Sequence, residues 1–148
     1  MSAVVVDASV VIKWFFPEVH GDQALHIRDT AKRFVVPDLL YAEVGNVLWH
    51  RVQTGAITRE EAQAVIEALN GILLPSSPVP TKAVLASALE IACQTGTTVY
   101  DSLYLALALQ ERIPCVTADR RFFDRMQDSP FAPYIAWITA PFPASLNS

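Results

Sequence analysis

Four carboxylates lie in or beside apolar stretches of the chain, where a charged side chain is costly to keep. Asp7 follows a run of valines, Glu43 lies in a mostly apolar helix-like segment, and Asp101 and Asp119 each follow short apolar stretches. A buried carboxylate is unfavourable unless it is protonated, hydrogen-bonded, paired or bound to a metal. Because no lysine or arginine is placed in the same way, the pattern predicts one acidic pocket that binds divalent cations.

The residue types in this pocket indicate which cation and which reaction to expect. Two carboxylates about 4 Å apart repel by roughly 4 kcal/mol at an effective dielectric constant of 20, so a shared cation would stabilise them. Oxygen-only ligands suit Mg²⁺ or Mn²⁺, whereas zinc normally recruits histidine or cysteine. Mg²⁺ keeps bound waters and recruits phosphate oxygens from its substrate. The pattern therefore favours a site that cleaves phosphodiester bonds with activated water.

Each of the four acids also has a plainer explanation. Asp101 precedes an apolar helix-like segment and suits an N-cap or a first helical turn, and Asp7 suits a turn. Asp119 suits the cap of a helix over 120–126, and Glu43 could extend to solvent from the edge of an apolar helix face. A single pocket accounts for all four positions at once, and it is the interpretation we adopt.

The elements that must position these acids alternate between strands and helices along the chain. Short apolar runs predict strands at 3–6, 34–36, 72–74, 113–117 and 136–139. Helix patterns and caps predict helices at 10–16 (with Ser9 as N-cap), 22–32, 37–53, 58–70, 81–94, 102–111 and 120–126. This alternation predicts a parallel sheet with helices on both faces, in which ligands bind beyond the carboxyl ends of the strands. Asp7 and Asp119 fall at such ends.

Length and composition limit the remaining classes of protein. The 148 residues predict one domain over 1–148, and 52% hydrophobic against 18% charged residues favours a packed core over disorder. The apolar runs are shorter than the roughly 20 residues of a membrane helix, and no secretory signal is evident, so we expect a cytoplasmic protein. The net charge of −4 becomes 0 without the four pocket acids, so charge does not exclude a nucleic-acid partner.

The acids and their neighbours together resemble a known family. The motifs are Val-Val-Asp7-Ala-Ser9, Glu43-Val-Gly-Asn46, Asp101-Ser-Leu-Tyr104 and Thr117-Ala-Asp119. In this order they resemble the PIN-domain nucleases, and the stretch Thr-Ala-Asp-Arg-Arg-Phe resembles the VapC-type toxins of bacterial toxin–antitoxin pairs. The resemblance implies a three-layer α/β/α sandwich with a mostly parallel central sheet. It also implies an endoribonuclease dependent on Mg²⁺, with Mn²⁺ as a substitute, and inhibition by a cognate antitoxin.

The resemblance assigns expected roles to individual residues. It implies four catalytic acids, Asp7, Glu43, Asp101 and Asp119, of which Asp7, Asp101 and Asp119 would bind the metal. It implies three accessory polar residues, Ser9, Asn46 and Thr117, with Asn46 orienting Glu43 at helical spacing. Arg120 and Arg121 are candidates for contacting RNA phosphates. Aromatic residues on the early helices are candidates for antitoxin or homodimer contacts.

Two alternatives remain open from the sequence. A receiver-like signalling module would also carry an acidic Mg²⁺ pocket, but it would have paired acids after the first strand and a lysine after the last one. Here Asp7 stands alone, and no lysine follows the strand predicted at 136–139. A PIN-like fold kept only for protein binding is the second alternative, and the intact acids argue against it. The sequence leaves open the target RNA, the number of metal ions and whether Asp119 contacts metal directly.

Overall fold

Four short strands form one parallel sheet at the centre of the protein. The computed structural model describes residues 3–73, 76 and 78–140. The strands are β1 (Ala3–Val6), β2 (Arg33–Val35), β3 (Cys115–Thr117) and β4 (Ile135–Trp137), and they lie in the order β2-β1-β3-β4. All pairs are parallel, with Val5 opposite both Val35 and Cys115. Helices cover the sheet, and the predicted three-layer α/β/α class is confirmed.

The described residues contain seven α-helices, which provide the crossovers that parallel strands require. They are α1 (Ala8–Val11), α2 (Gly21–Thr30), α3 (Leu39–Gln53), α4 (Arg59–Leu73), α5 (Thr81–Thr95), α6 (Val99–Glu111) and α7 (Arg120–Gln127). A capping box begins α4, because the Thr58 backbone N–H donates to Glu61 and the Glu61 N–H donates to the Thr58 hydroxyl, both at 3.0 Å. No helix in the described part of the chain is long and apolar enough to cross a membrane.

The most deeply buried elements lie side by side in the core. Val4, Val5 and Val6 of β1 are fully buried, as expected for a central strand covered on both faces. Helix α6 is buried continuously from Ser102 to Ala108, so it is a core helix rather than an amphipathic surface helix. Its first turn therefore carries Asp101 to a fixed place beside the sheet.

The first helix starts earlier than the sequence suggested. We expected Ser9 to cap a helix over 10–16, but Asp7 is the N-cap of α1, and its carboxylate accepts the Val10 backbone N–H at 3.3 Å. The segment continues as a 3-10 turn over Ile12–Trp14. Both residue types cap helices well, and Ser9 is engaged elsewhere, as described below.

The strand predicted at 72–74 is wrong, because residues 72 and 73 are helical. Ile72 and Leu73 belong to α4, which continues past Gly71, while residue 74 lies outside the described residues. Leu69 and Leu73 are buried one helical turn apart, so the apolar face of α4 continues through the glycine. An isolated glycine lowers helix stability but does not by itself end a helix whose next turn is packed.

Candidate active site

Asp7 lies at the carboxyl end of β1 and is held by three hydrogen bonds. Its Oδ1 accepts the Ser9 hydroxyl at 2.5 Å and the Val10 N–H at 3.3 Å, and its Oδ2 accepts the Thr117 hydroxyl at 2.5 Å. Thr117 ends β3, the strand paired with β1, so the parallel register brings these side chains together. Asp7 is buried, and every one of these donors orients its carboxylate.

The two hydroxyls also connect Asp7 to the turn between β3 and α7. The Ala118 N–H donates to the Ser9 hydroxyl at 2.9 Å, and the Asp119 N–H donates to the Thr117 hydroxyl at 3.0 Å. Each hydroxyl therefore accepts from backbone and donates to carboxylate. Ser9 and Thr117, predicted as accessory polar residues, lie where they fix both the Asp7 side chain and the position of Asp119.

Asp119 caps helix α7. Its Oδ1 accepts the backbone N–H groups of Arg121 at 3.0 Å and Phe122 at 3.2 Å. The plainer explanation considered for this residue is thus realised in the structure. It does not use the whole side chain, because Oδ2 accepts no hydrogen bond from the described residues.

Asp101 lies in the first turn of α6 but does not cap it. The N-cap is Thr98, whose hydroxyl accepts the Asp101 N–H at 3.1 Å. Among the described residues, no hydrogen bond or ion pair reaches the half-buried Asp101 carboxylate. Its charge therefore has no partner within this part of the protein, which is the condition that the sequence pattern predicted.

Glu43 is held by a residue that the sequence analysis did not assign to the site. The Tyr104 hydroxyl donates a hydrogen bond to Glu43 Oε1. Asn46 is exposed and makes no hydrogen bond to Glu43 in the described structure; it lies with Glu43 in an apolar groove beside Tyr100. The signal for Tyr104 was present, because it is three residues after Asp101 on a helix and so lies on the same face.

The pKa values of these acids indicate that they act on one another electrostatically. Burial raises the pKa of Asp7 to about 7, against the lowering effect of its hydrogen bonds, and the charge of Asp101 adds to the rise. Burial and the charges of Asp119 and Glu43 raise the pKa of Asp101 to about 6. The pKa of Glu43 is raised by burial, although its hydrogen bond with Tyr104 lowers it. Asp101 thus interacts electrostatically with each of the other three acids.

The donor set fits a hydrated hard cation better than a tightly caged ion. Across the part of the chain that the structure describes, no three side chains among Asp, Glu, His and Cys converge closely enough to hold one ion together. Mg²⁺ is commonly held by only one or two carboxylates, with waters and substrate phosphates completing its shell. A cation beside Asp101 would also offset the mutual repulsion of the acids. The residues present therefore suit Mg²⁺ or Mn²⁺ with several ligands supplied by water.

The basic residues that follow Asp119 point to two different places. Arg120 lies over the Trp137 ring at 3.9 Å and approaches Asp124 at 3.7 Å. Arg121 lines a cleft of about 330 Å³ together with Asp101 and Asp119. Of the two arginines predicted to contact phosphates, Arg121 is thus the one beside the acids.

Comparison with known proteins agrees with the fold and the motifs. The model of the PIN domain family matches residues 4–128. The chain is 31% identical over 121 residues to Ribonuclease VapC3 of Pyrobaculum aerophilum, covering 82% of this chain and 92% of that protein. It is 33% identical over 128 residues to Ribonuclease VapC1 of Mycobacterium tuberculosis, covering 82% and 89%.

A solved structure shows the same architecture at low sequence identity. A toxin–antitoxin complex from Klebsiella pneumoniae includes a chain that matches with a TM-score of 0.65 and 14% identity, over 93% of this chain and 99% of that one. At this identity the likeness concerns the fold alone. Taken together with the family match and the two relatives, it leads to one assignment: the chain belongs to the PIN-domain family and, within it, to the VapC proteins.

Proposed function

We propose that this protein is an endoribonuclease that cleaves RNA phosphodiester bonds with Mg²⁺, for which Mn²⁺ substitutes. The observation that carries the proposal is the set of four electrostatically coupled acids, with raised pKa values for Asp7 and Asp101, at the carboxyl edge of the sheet. Its relatives named ribonucleases supply the substrate class.

Each residue of the site has its own proposed role. Asp7, Asp101 and Asp119 would hold the cation, directly or through its bound waters, and Glu43 completes the acidic pocket. When bound, the cation supplies a water of lowered pKa and neutralises charge that develops on the phosphate. Ser9 and Thr117 fix the Asp7 carboxylate. Tyr104 fixes Glu43 from the core side. Arg120 and Arg121 remain the proposed phosphate contacts.

The proposed biological role is that of a toxin controlled by a cognate antitoxin. The similar fold from Klebsiella pneumoniae was solved as a toxin–antitoxin complex, and this supports an antitoxin partner here. We also propose that the protein acts in the cytoplasm and forms a homodimer. No observation favours the receiver-like alternative, because both Asp7 oxygens accept hydrogen bonds and, among the described residues, no lysine lines either cleft beside the acids.

The test is cleavage of RNA by purified protein. We expect cleavage of a mixed RNA pool with Mg²⁺ or Mn²⁺, none with a chelator, and none by Asp7→Asn purified in the same way. Glu111→Gln, an exposed change at the far end of α6, is the matched control and should cleave like the wild type. Cleavage that survives both the chelator and Asp7→Asn would reject the proposed mechanism. Growth arrest on expression, absent for Asp7→Asn, tests the toxin role.

A further inference from the structure

A cleft of about 330 Å³ opens beside the acidic pocket, between the start of α6 and helix α7. Two of the pocket acids, Asp101 and Asp119, lie in its wall, together with Arg121 and Arg125 of α7. The segment before α6 completes the wall through Gly96, Thr97 and Thr98. Charges of opposite sign thus line one small cleft, the acids belonging to the pocket already described and the arginines to α7.

The two arginines are available for a ligand to different extents. Arg121 is exposed, and its side chain makes no hydrogen bond or ion pair with the described residues, since only its backbone N–H bonds to Asp119. Arg125 donates one hydrogen bond, from Nη1 to the Gly96 carbonyl oxygen at 2.9 Å, and a guanidinium has five donors. Gly96 has φ of 73°, and a Cβ there would lie 3.0 Å from Arg125 Nη1, so the glycine leaves room for this arginine.

A second observation in the same cleft indicates a missing partner. Thr97 lines the cleft and is only 7% exposed, and its Oγ1 has no hydrogen-bond partner in the described structure. Buried hydroxyls in folded proteins are almost always hydrogen-bonded, to protein, water or ligand. Thr97 thus brings an unpaired buried hydroxyl to the same part of the fold as the arginine donors.

We propose that this cleft binds the non-bridging oxygens of an RNA phosphate that neighbours the scissile one, with Arg121 and Arg125 as its ligands. This inference rests on the proposed ribonuclease function. A phosphate next to the scissile one must pass close to Asp101 and Asp119, which repel it. The positive charges of Arg121 and Arg125 offset this repulsion in the same cleft. The guanidinium fork matches phosphate geometry and binds it through two parallel hydrogen bonds. Arg120 is not part of this subsite, because its guanidinium stacks on Trp137.

The first experiment measures binding without cleavage. Asp7→Asn protein is titrated with a fluorescent, single-stranded RNA pool of degenerate sequence at several salt concentrations, with and without Arg121→Gln. We expect Arg121→Gln to weaken binding about tenfold and to reduce the slope of log K against log salt by about 0.7, the value for one phosphate contact on a single strand. Arg112→Gln is the matched control, because it removes the same charge about 16 Å from Asp101 along α6.

The second experiment measures cleavage by the otherwise wild-type protein. Arg121→Gln should raise KM about tenfold with little change in kcat, the result expected when binding is lost equally in the ground and transition states. Once a cleavage site is mapped, a methylphosphonate placed at the neighbouring position removes that phosphate's charge. It should impair the wild type but add little to the effect of Arg121→Gln, since both changes remove one contact.

The outcomes separate the subsite from the ribonuclease function. The subsite is rejected if Arg121→Gln has the same salt dependence and KM as Arg112→Gln. It is also rejected if the effects of Arg121→Gln and of the methylphosphonate are additive at every position next to the cleavage site. Absence of any RNA binding also rejects it. RNA binding that depends on Arg121 without cleavage by the wild type would support the subsite and reject the proposed function.

Discussion

The two sides of the acidic pocket hold their carboxylates in different ways. On the strand-end side, Asp7 accepts three hydrogen bonds and Asp119 accepts two from the start of α7. On the helical side, Glu43 accepts one hydrogen bond, from Tyr104, and the Asp101 carboxylate accepts none from the described residues. Hydrogen bonds thus fix the carboxylates of the strand-end side. The Asp101 carboxylate, by contrast, has no hydrogen-bond or ion-pair partner among the described residues.

This difference shows where stability is given up for function. Hydrogen bonds to a carboxylate stabilise its ionised form, whereas burial and repulsion by other acids destabilise the folded state whenever the group is ionised. Asp101 feels the charges of Asp119 and Glu43 and raises the pKa of Asp7. Before a cation binds, burial makes ionised Asp7 costly, and Asp101 carries the cost that repulsion by Asp119 and Glu43 adds.

The largest expected effect comes from Asp101→Asn. We expect activity to fall at least about a hundredfold, because a metal-binding charge is lost. At about pH 8, without metal, we expect the free energy of unfolding to rise by about 1–2 kcal/mol, a value reduced for the partial exposure of this side chain. Urea unfolding with a chelator present measures it, and Glu111→Gln on the same helix is the control. A loss of stability would contradict the assignment of strain to Asp101.

The sign of the pH dependence follows from the same pKa values. Asp101 and Asp7 titrate at about 6 and about 7 in the folded protein, against 3.8 as the ordinary value. The folded protein therefore binds more protons than the unfolded chain between about pH 4 and 7, so metal-free stability falls as pH rises through this window. In Asp101→Asn this decline should be smaller.

The second prediction tests the strand-end side of the pocket. Thr117→Val removes a buried donor to Asp7 and leaves the Asp119 N–H without its acceptor, so we expect the free energy of unfolding to fall by about 1–3 kcal/mol. The exposed Thr139→Val is the control. Chemical denaturation of both variants measures the difference. Unchanged stability in Thr117→Val would mean that the hydroxyl chain does not hold this side together.

The smallest effect concerns the one hydrogen bond on the helical side. Tyr104→Phe keeps the buried ring and removes the donor to Glu43, so we expect about a tenfold loss of activity, as for other residues that orient a site carboxylate. The pKa of Glu43 should rise further, since that hydrogen bond lowers it, and the acidic limb of the pH–rate profile should move to higher pH. Tyr134→Phe serves as the comparison variant. A profile identical to the wild type would exclude a positioning role for Tyr104.

Sequence patterns predicted the features of this fold that repeat or that lie close together in the chain. The valine run gave β1, and the Thr58–Glu61 capping box gave the start of α4, because their signals are local. The choice between Asp7 and Ser9 as the cap of α1 could not be made locally. It depends on the Ala118 N–H, which lies 109 residues away from Ser9 in sequence and donates to the Ser9 hydroxyl.

The hydrogen-bond partner of Glu43 differs from the predicted one for the same reason. Asn46 lies one helical turn from Glu43 and is the partner that spacing predicts, whereas Tyr104 is 61 residues away and meets Glu43 only in the folded chain. Helical spacing shows which residues share a face, but it does not show which groups the facing element contributes. The four acids were foreseeable because each breaks an apolar pattern, and their hydrogen-bond donors were foreseeable only in part.

The hydrogen bonds around Asp7 all run in one direction. Backbone N–H groups donate to Ser9 and Thr117, and these hydroxyls donate onward, so neither hydroxyl can turn its proton away without losing a bond. A carboxylate offers about four lone-pair positions, and the described residues fill three of them at Asp7, two on Oδ1 and one on Oδ2. One position on Oδ2 remains, and a proton and a metal ion must compete for it. Acid and cation should therefore exclude each other at Asp7 in a one-for-one exchange.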